Sequence, residues 1–194
     1  MANRCFTIYK ITGYKPALES LVKALEENKQ GTYEINLSYL AKYYNIDYEK
    51  ECISVRGWVE HWVYNDDVLT IETDTAWSGC HNLFYAINRE LQEIYNEELS
   101  ISYREEEYGC NIFYIHDEEE FFPEECVIDY DISKDGRNYA DVDYTSISKA
   151  IGLWCSFIGE EQGDRTDKEM LDYIFQYEHK NPSDYFNINV FDRE

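Results

Sequence analysis

The sequence predicts an α+β fold, and three patterns predict it. Short runs of alternating apolar and polar residues recur along the first three quarters of the chain, as half-buried strands require. Between them lie stretches with apolar residues at three-four spacing, which is the helical period. Turn residues separate the strands in adjacent pairs, the signature of antiparallel hairpins.

Cys5 to Thr12 alternates and ends at Gly13, which predicts a first strand. Pro16 follows where a first helical turn accepts it, and Leu18, Leu21, Val22 and Leu25 extend a helix over 16–28. Leu37, Leu40, Ala41 and Tyr44 predict a short second helix with Asn36 as its N-cap. Ile53 to Tyr64 and Val68 to Thr73 flank Asn65-Asp66-Asp67 and read as a hairpin, with Trp58 and Trp62 on one face of its first strand. Leu83, Phe84, Ile87, Leu91 and Ile94 predict a helix from Ser78, its expected cap, to about Tyr95. Leu99 to Tyr103 and Cys110 to Tyr114 alternate on either side of Gly109, a second hairpin. Phe121 to Ile132 continues as strand, and Asp135-Gly136 is a turn dipeptide leading into Tyr139 to Tyr144. Ile147, Ala150, Ile151, Trp154, Phe157 and Ile158 then mark a helix, and Thr166 with Glu169 forms a capping box before another.

The order strand, helix, hairpin, helix, strand is that of a ferredoxin-like βαββαβ core, extended here by β-hairpins and two C-terminal helices. Residues 1–194 are expected to form a single domain, with 1–145 an α+β core carrying acidic hairpins and 146–194 a helical extension packed on it.

Thr75-Ala76-Trp77 after a strand, the long helix that follows, Tyr103, and Glu107-Tyr108-Gly109-Cys110 entering a hairpin carry a family resemblance. Residues 69–122 resemble the YubB-type domain of proteins borne by plasmids, phages and other bacterial mobile elements. Where that family has Pro shortly after the Trp and a second Gly after the turn, this chain has Ser78-Gly79 and Phe113-Tyr114. The resemblance implies the ferredoxin-like fold and a mobile-element origin, and brings no catalytic residues.

Composition narrows function. The 194 residues carry 17 Lys+Arg against 40 Asp+Glu, a formal charge of −23, so phosphate-rich nucleic acid and anionic membrane surfaces repel the chain. Basic proteins, cations or small molecules are the partners such a charge favours, and a basic protein surface is the one expected. With 44% hydrophobic and 16% aromatic residues the acidity does not signal disorder. No apolar run has the roughly 18 to 20 residues of a membrane span, and the N-terminus lacks the apolar stretch of a signal peptide. A cytoplasmic location is therefore expected. The six Cys contain no Cys-x-x-Cys, so they read as small buried residues, and neither a cofactor nor a structural metal is expected.

From Glu90 to Thr145 there are 18 Asp/Glu against three Lys/Arg. Glu105, Glu106, Glu107, Asp117, Glu118, Glu119, Glu120, Asp129, Asp131, Asp141 and Asp143 are the expected binding surface, because residues two apart on a strand share a face and paired strands would array their carboxylates. A solvated, merely solubilising face explains the same residues. Asp131 and Asp135 begin a calcium-loop pattern that fails at Val142, where a bidentate Glu belongs. Cys80 at a helix start is a candidate nucleophile, with His116 or His61 as base, although Cys80 also falls on the apolar face of that helix. The reading these residues favour is a non-catalytic acidic interaction or inhibitory module of a mobile element that binds a basic partner surface. The alternatives are a hydrolase with a Cys/His or carboxylate site near Cys80 and His116, and a cation-binding protein.

Overall fold

The computed structural model describes residues 3–30, 34–134, 137–180 and 185–193. The chain forms two units, Met1–Phe122 with Arg193–Glu194, and Pro123–Asp192. The boundary between the units falls at Phe122/Pro123, ahead of the expected change of character at 145/146. The hairpin counted with the core belongs to the C-terminal unit, because its apolar face is completed by the helices that follow it.

In the first unit the chain runs β1 (Arg4–Thr12), α1 (Lys15–Glu27), β2 (Ile35–Asn36), α2 (Leu37–Tyr43), β3 (Gly57–Asn65), β4 (Val68–Ala76), α3 (His81–Tyr95), β5 (Ser100–Glu107) and β6 (Ile112–His116). With β10 (Asp192–Arg193) these strands make a seven-stranded sheet in the order β10-β6-β5-β1-β4-β3-β2. The expected succession is present as β1, α1, β3, β4, α3, β5, with β2 and α2 inserted before the hairpin, and β1 pairs antiparallel with both β4 and β5. The class is therefore α+β, as the alternation and helical spacing predict.

One face of this sheet carries the core. Tyr9, Ile11, Val59, Leu69, Ile71, Ile101 and Tyr103 point into it from the strands and meet Leu18, Leu21 and Leu25 of α1 and Leu83, Phe84, Ile87 and Leu91 of α3. The Tyr9 and Phe84 rings lie 4.2 Å apart, which fixes α3 over β1. Each such side chain, fully buried, stabilises by about 1.5–3 kcal/mol. Asn36 caps α2 as expected, its side chain accepting from the Ser38 amide at 2.9 Å. Ser78 does not cap α3, which begins at His81 with Cys80 at the cap position. At the far end Asn96 adopts φ 56° and closes the helix. The buried Asn88 side chain then donates to Leu99 O and accepts from Leu99 N, both at 2.9 Å, tying α3 to the approach to β5.

Trp58 and Trp62 do not share a face. A register shift between Val59 and His61 makes Glu60 an extra residue against β4, which reverses the alternation. Trp62 therefore packs against the core beneath the Lys29 ammonium, 5.0 Å from its ring, while Trp58 is 43% exposed on the opposite face.

The second unit contains β7 (Cys126–Lys134), β8 (Arg137–Thr145), α4 (Ile147–Ile158), α5 (Asp167–Lys180) and β9 (Tyr185–Val190), with strand order β8-β7-β9. Strand β7 begins at Cys126, later than the expected Phe121, and the expected helical C-terminus also contains β9 and β10. The Asp135-Gly136 turn lies outside the described residues. Trp154 is fully buried among Ile128, Ile132, Ile151, Met170, Ile174 and Phe186. Ser146 caps α4 through Lys149 N, and the Thr166/Glu169 capping box forms, Thr166 N donating to Glu169 at 2.8 Å and Glu169 N to Thr166 at 3.3 Å. Among the described residues no helix is long and apolar enough to cross a membrane.

Candidate functional site

The strand register sorts the acidic residues. Along β5, Tyr103 opposes Tyr9 and Glu105 opposes Thr7, so Glu105 and Glu107 point to the same side of the sheet as Tyr9. Glu105, Glu106 and Glu107, expected on the binding surface, are all buried, at 7%, 4% and 1% exposure. The charge run predicts solvent-facing carboxylates there, but β5 is paired on both sides, with β1 and β6, and its side chains are covered. Each of the three has internal work. Glu107 accepts from the Gly109 amide at 2.9 Å and from Cys110 N, closing the β5–β6 turn. Glu106 lies 3.2 Å from Arg104 Nε, on the opposite side of the sheet from Glu105.

Asp117 is partly buried and organises the next turn, accepting from Glu119 N at 3.3 Å and Phe122 N at 2.7 Å. Glu118, Glu119 and Glu120 are exposed, with Glu119 accepting from the Thr12 hydroxyl at 2.7 Å. In the second unit Asp129 is partly buried and Asp131, Asp141 and Asp143 are exposed. The pairings Asp129↔Val142 and Tyr130↔Asp141 place Asp129 and Asp131 on one face of the hairpin and Asp141 and Asp143 on the other. The expected single array of carboxylates is thus split between two faces. On the first face Tyr185 donates to Asp129 at 2.9 Å. On the second, Asp141 accepts from the Val142 amide and Asp143 from the Tyr144 amide, each at 2.9 Å.

The proposed nucleophile is shielded. Cys80 is 2% exposed, its Sγ 3.9 Å from Ser54 Oγ, and burial pushes its thiol up, against the direction nucleophilic catalysis needs. His61 opposes Glu72, which opposes Ile8, so the bulge places it on the far side of the sheet from the core that holds Cys80. His116 opposes Tyr103 and stacks on its ring at 5.3 Å. Of the calcium-loop pair, Asp131 is exposed and Asp135 lies outside the described residues. Among the described residues no group of three or more His, Cys, Asp or Glu side chains is placed to hold a metal ion.

The structure instead assembles a partly buried cluster around His81, the residue next to Cys80. Its Nε2 lies 2.6 Å from Glu105 Oε2 and its Nδ1 3.1 Å from the Tyr9 hydroxyl, while its ring stacks on Tyr103 at 3.8 Å. The same Glu105 oxygen accepts from the Gly79 amide at 2.8 Å. Burial raises the Glu105 pKa, but the hydrogen bond and charge of His81 and the Gly79 amide outweigh it and hold the carboxyl below its ordinary range. Burial also pushes the Tyr9 phenol well up, so it stays a donor. Nε2 donates to Glu105 and Nδ1 pairs with the Tyr9 hydroxyl, so both ring nitrogens are engaged. With both ring nitrogens occupied, His81 joins β1, α3 and β5 and offers no open position for acid or base chemistry. Its sequence signal was an inward-facing charge, since Glu105 alternates in phase with the apolar Ile101 and Tyr103.

Comparison with protein-family models, with curated proteins and with solved structures finds no match to this chain.

Proposed function

We propose that the protein is a non-catalytic, acidic interaction module that binds a basic protein surface. The observation that carries this reading is the uncompensated charge of Asp131, Asp141 and Asp143. These side chains are exposed, and none is in an ion pair among the described residues. A basic partner supplies the missing counter-charge, and steering by such charges raises association rates. The buried thiol of Cys80 and the closed His81 cluster favour binding over hydrolysis. The six free cysteines fit a reducing cytoplasm, where we place the protein. The resemblance of residues 69–122 adds a mobile-element origin to the proposal, and with it an inhibitory role toward a host factor.

The test is capture from a host lysate at low and high salt, with wild type beside Asp131→Asn/Asp141→Asn/Asp143→Asn. The reading requires a basic protein retained by wild type at low salt, released at high salt and missed by the variant. Equal capture by both chains overturns it.

A further inference from the structure

Strand β8 is a terminal member of its sheet, paired to β7 over all nine residues without a register shift. Tyr139 through Asp143 are exposed. An edge of this length is a template for another strand, and proteins commonly blunt such edges. The direction of the backbone groups is fixed by Thr145, whose carbonyl accepts from Glu125 N and so points toward the β7 side. Backbone groups alternate along a strand, so those of Ala140, Val142 and Tyr144 face outward. Two of the outward amides, Val142 and Tyr144, are the ones taken by the carboxylates of Asp141 and Asp143. The edge is closed by its own acidic side chains.

We infer that β8 is a strand-addition site whose ligand is an extended segment alternating Lys or Arg with apolar residues. This deepens the acidic-module reading and rests on it. Asp141 and Asp143 oppose Tyr130 and Ile128 and therefore lie on one face of the sheet, with spacing that matches residues i and i+2 of an added strand. A Lys or Arg at each of those positions draws the carboxylates off the amides and pairs with them. The Val142 and Tyr144 amides then donate to the incoming backbone, whose main chain supplies affinity while alternate side chains supply specificity. On the other face the segment's intervening residues lie beside Ala140, Val142 and Tyr144, where Val142 is 51% exposed. The Ala140, Val142 and Tyr144 row itself carries no charge, Asp129 and Asp131 lying one strand further in on that face, so apolar residues sit against it. A uniformly basic surface satisfies the charge but not this alternation.

The test uses the full chain and a nine-residue peptide alternating Lys and Val, its ends blocked. Controls are the same peptide N-methylated at alternate backbone amides, on either register, and a blocked peptide alternating Glu and Val. Strand addition requires that the unmethylated Lys peptide bind. Methylation on the register facing β8 must weaken binding about tenfold or more, because several backbone hydrogen bonds are lost together. Amide exchange at Val142 and Tyr144 must slow in the complex. The charge-swapped chain, Asp141→Lys/Asp143→Lys, must lose the Lys peptide and gain the Glu peptide. If methylated and unmethylated Lys peptides bind equally and release with salt, the acidic-module reading stands and strand addition is overturned. If no Lys peptide binds, both are overturned. If the chain associates with itself through β8 and the peptides do not compete, the occupant is a second copy and the basic segment is overturned.

Discussion

Glu105 Oε2 stands 2.6 Å from His81 Nε2, so one buried carboxylate on β5 holds the first residue of α3. Because its folded pKa is held below the ordinary value, the sign of its pH effect is fixed. The stability it contributes is fully present above the unfolded value, about pH 4.3, and is lost as pH falls through the lower folded value. Urea midpoints measured from pH 7 downward should therefore fall more steeply in wild type than in Glu105→Gln. Near neutrality the variant should be less stable by about 1.5–3 kcal/mol, the range for a buried hydrogen bond to a charged group. Parallel curves for the two chains would remove His81 and Glu105 from the stability account.

Gly79 faces the same pair at close range. A Cβ built there would stand 2.6 Å from Glu105 Oε2 and 2.6 Å from His81 Nε2. The two side chains are held by each other and cannot move aside without breaking that contact. Gly79→Ala should therefore destabilise by about 1–3 kcal/mol, as overpacking does. In Gly79→Ala/Glu105→Ala the penalties should be less than additive, since the second change removes the obstruction. Thermal or urea unfolding of the two single variants and the double gives the cycle.

The cysteines should label in an order set by burial. Cys52 and Cys110 are exposed and should react first with iodoacetamide, with Cys110 slowed by the hydrogen bond to the Glu107 carboxylate, which raises its thiol pKa. Burial, with Glu105 nearby, pushes the Cys5 thiol up to about 12, and burial lifts Cys126 to about 11 and raises Cys80. These three should label only on unfolding, followed by peptide mass mapping. Rapid and selective labelling of Cys80 in the folded chain would restore the hydrolase reading.

Much of the fold is legible because it depends on local period and turn chemistry. The α3 face of Leu83, Phe84, Ile87 and Leu91 is buried as its spacing requires, and Thr166 with Glu169 makes the capping box its sequence spells. What escaped depends on events that spacing does not encode. One extra residue, Glu60, sends Trp58 and Trp62 to opposite faces, and no two-residue period announces a bulge. β5 reads as an acidic surface strand because Glu105-Glu106-Glu107 is a charge run, yet Glu105 and Glu107 share the core face with Tyr9, Glu106 lies on the other face beside Arg104, and all three are buried. β9 was readable in part, since Phe186, Ile188 and Val190 alternate with polar residues after α5. The site was legible only as charge. Which carboxylates face outward follows from register, and register is a pairing property.

The exposed acids lie in two places, and charge reversal separates them. Glu118, Glu119 and Glu120 follow β6 in the first unit, whereas Asp131, Asp141 and Asp143 belong to the β7–β8 hairpin. Replacing the three glutamates by Lys should leave the fold intact, because exposed positions away from packed features usually change stability by under about 0.5 kcal/mol each. Glu119 alone gives up an internal partner, the Thr12 hydroxyl. If a basic partner docks on the hairpin edge, the glutamates are not among the groups that touch it, and their reversal acts through long-range charge. Association should then slow modestly, with dissociation unaltered, and the effect should fade with salt as screening over about 8 Å sets in. Reversal at Asp141 and Asp143 should instead quicken dissociation, because it removes groups that touch the partner. Stopped-flow or surface-binding kinetics at two salt concentrations distinguish the two patterns. Loss of all binding in the glutamate variant, with the hairpin variant unaffected, would move the contact surface to the turn after β6 and end the case for the hairpin.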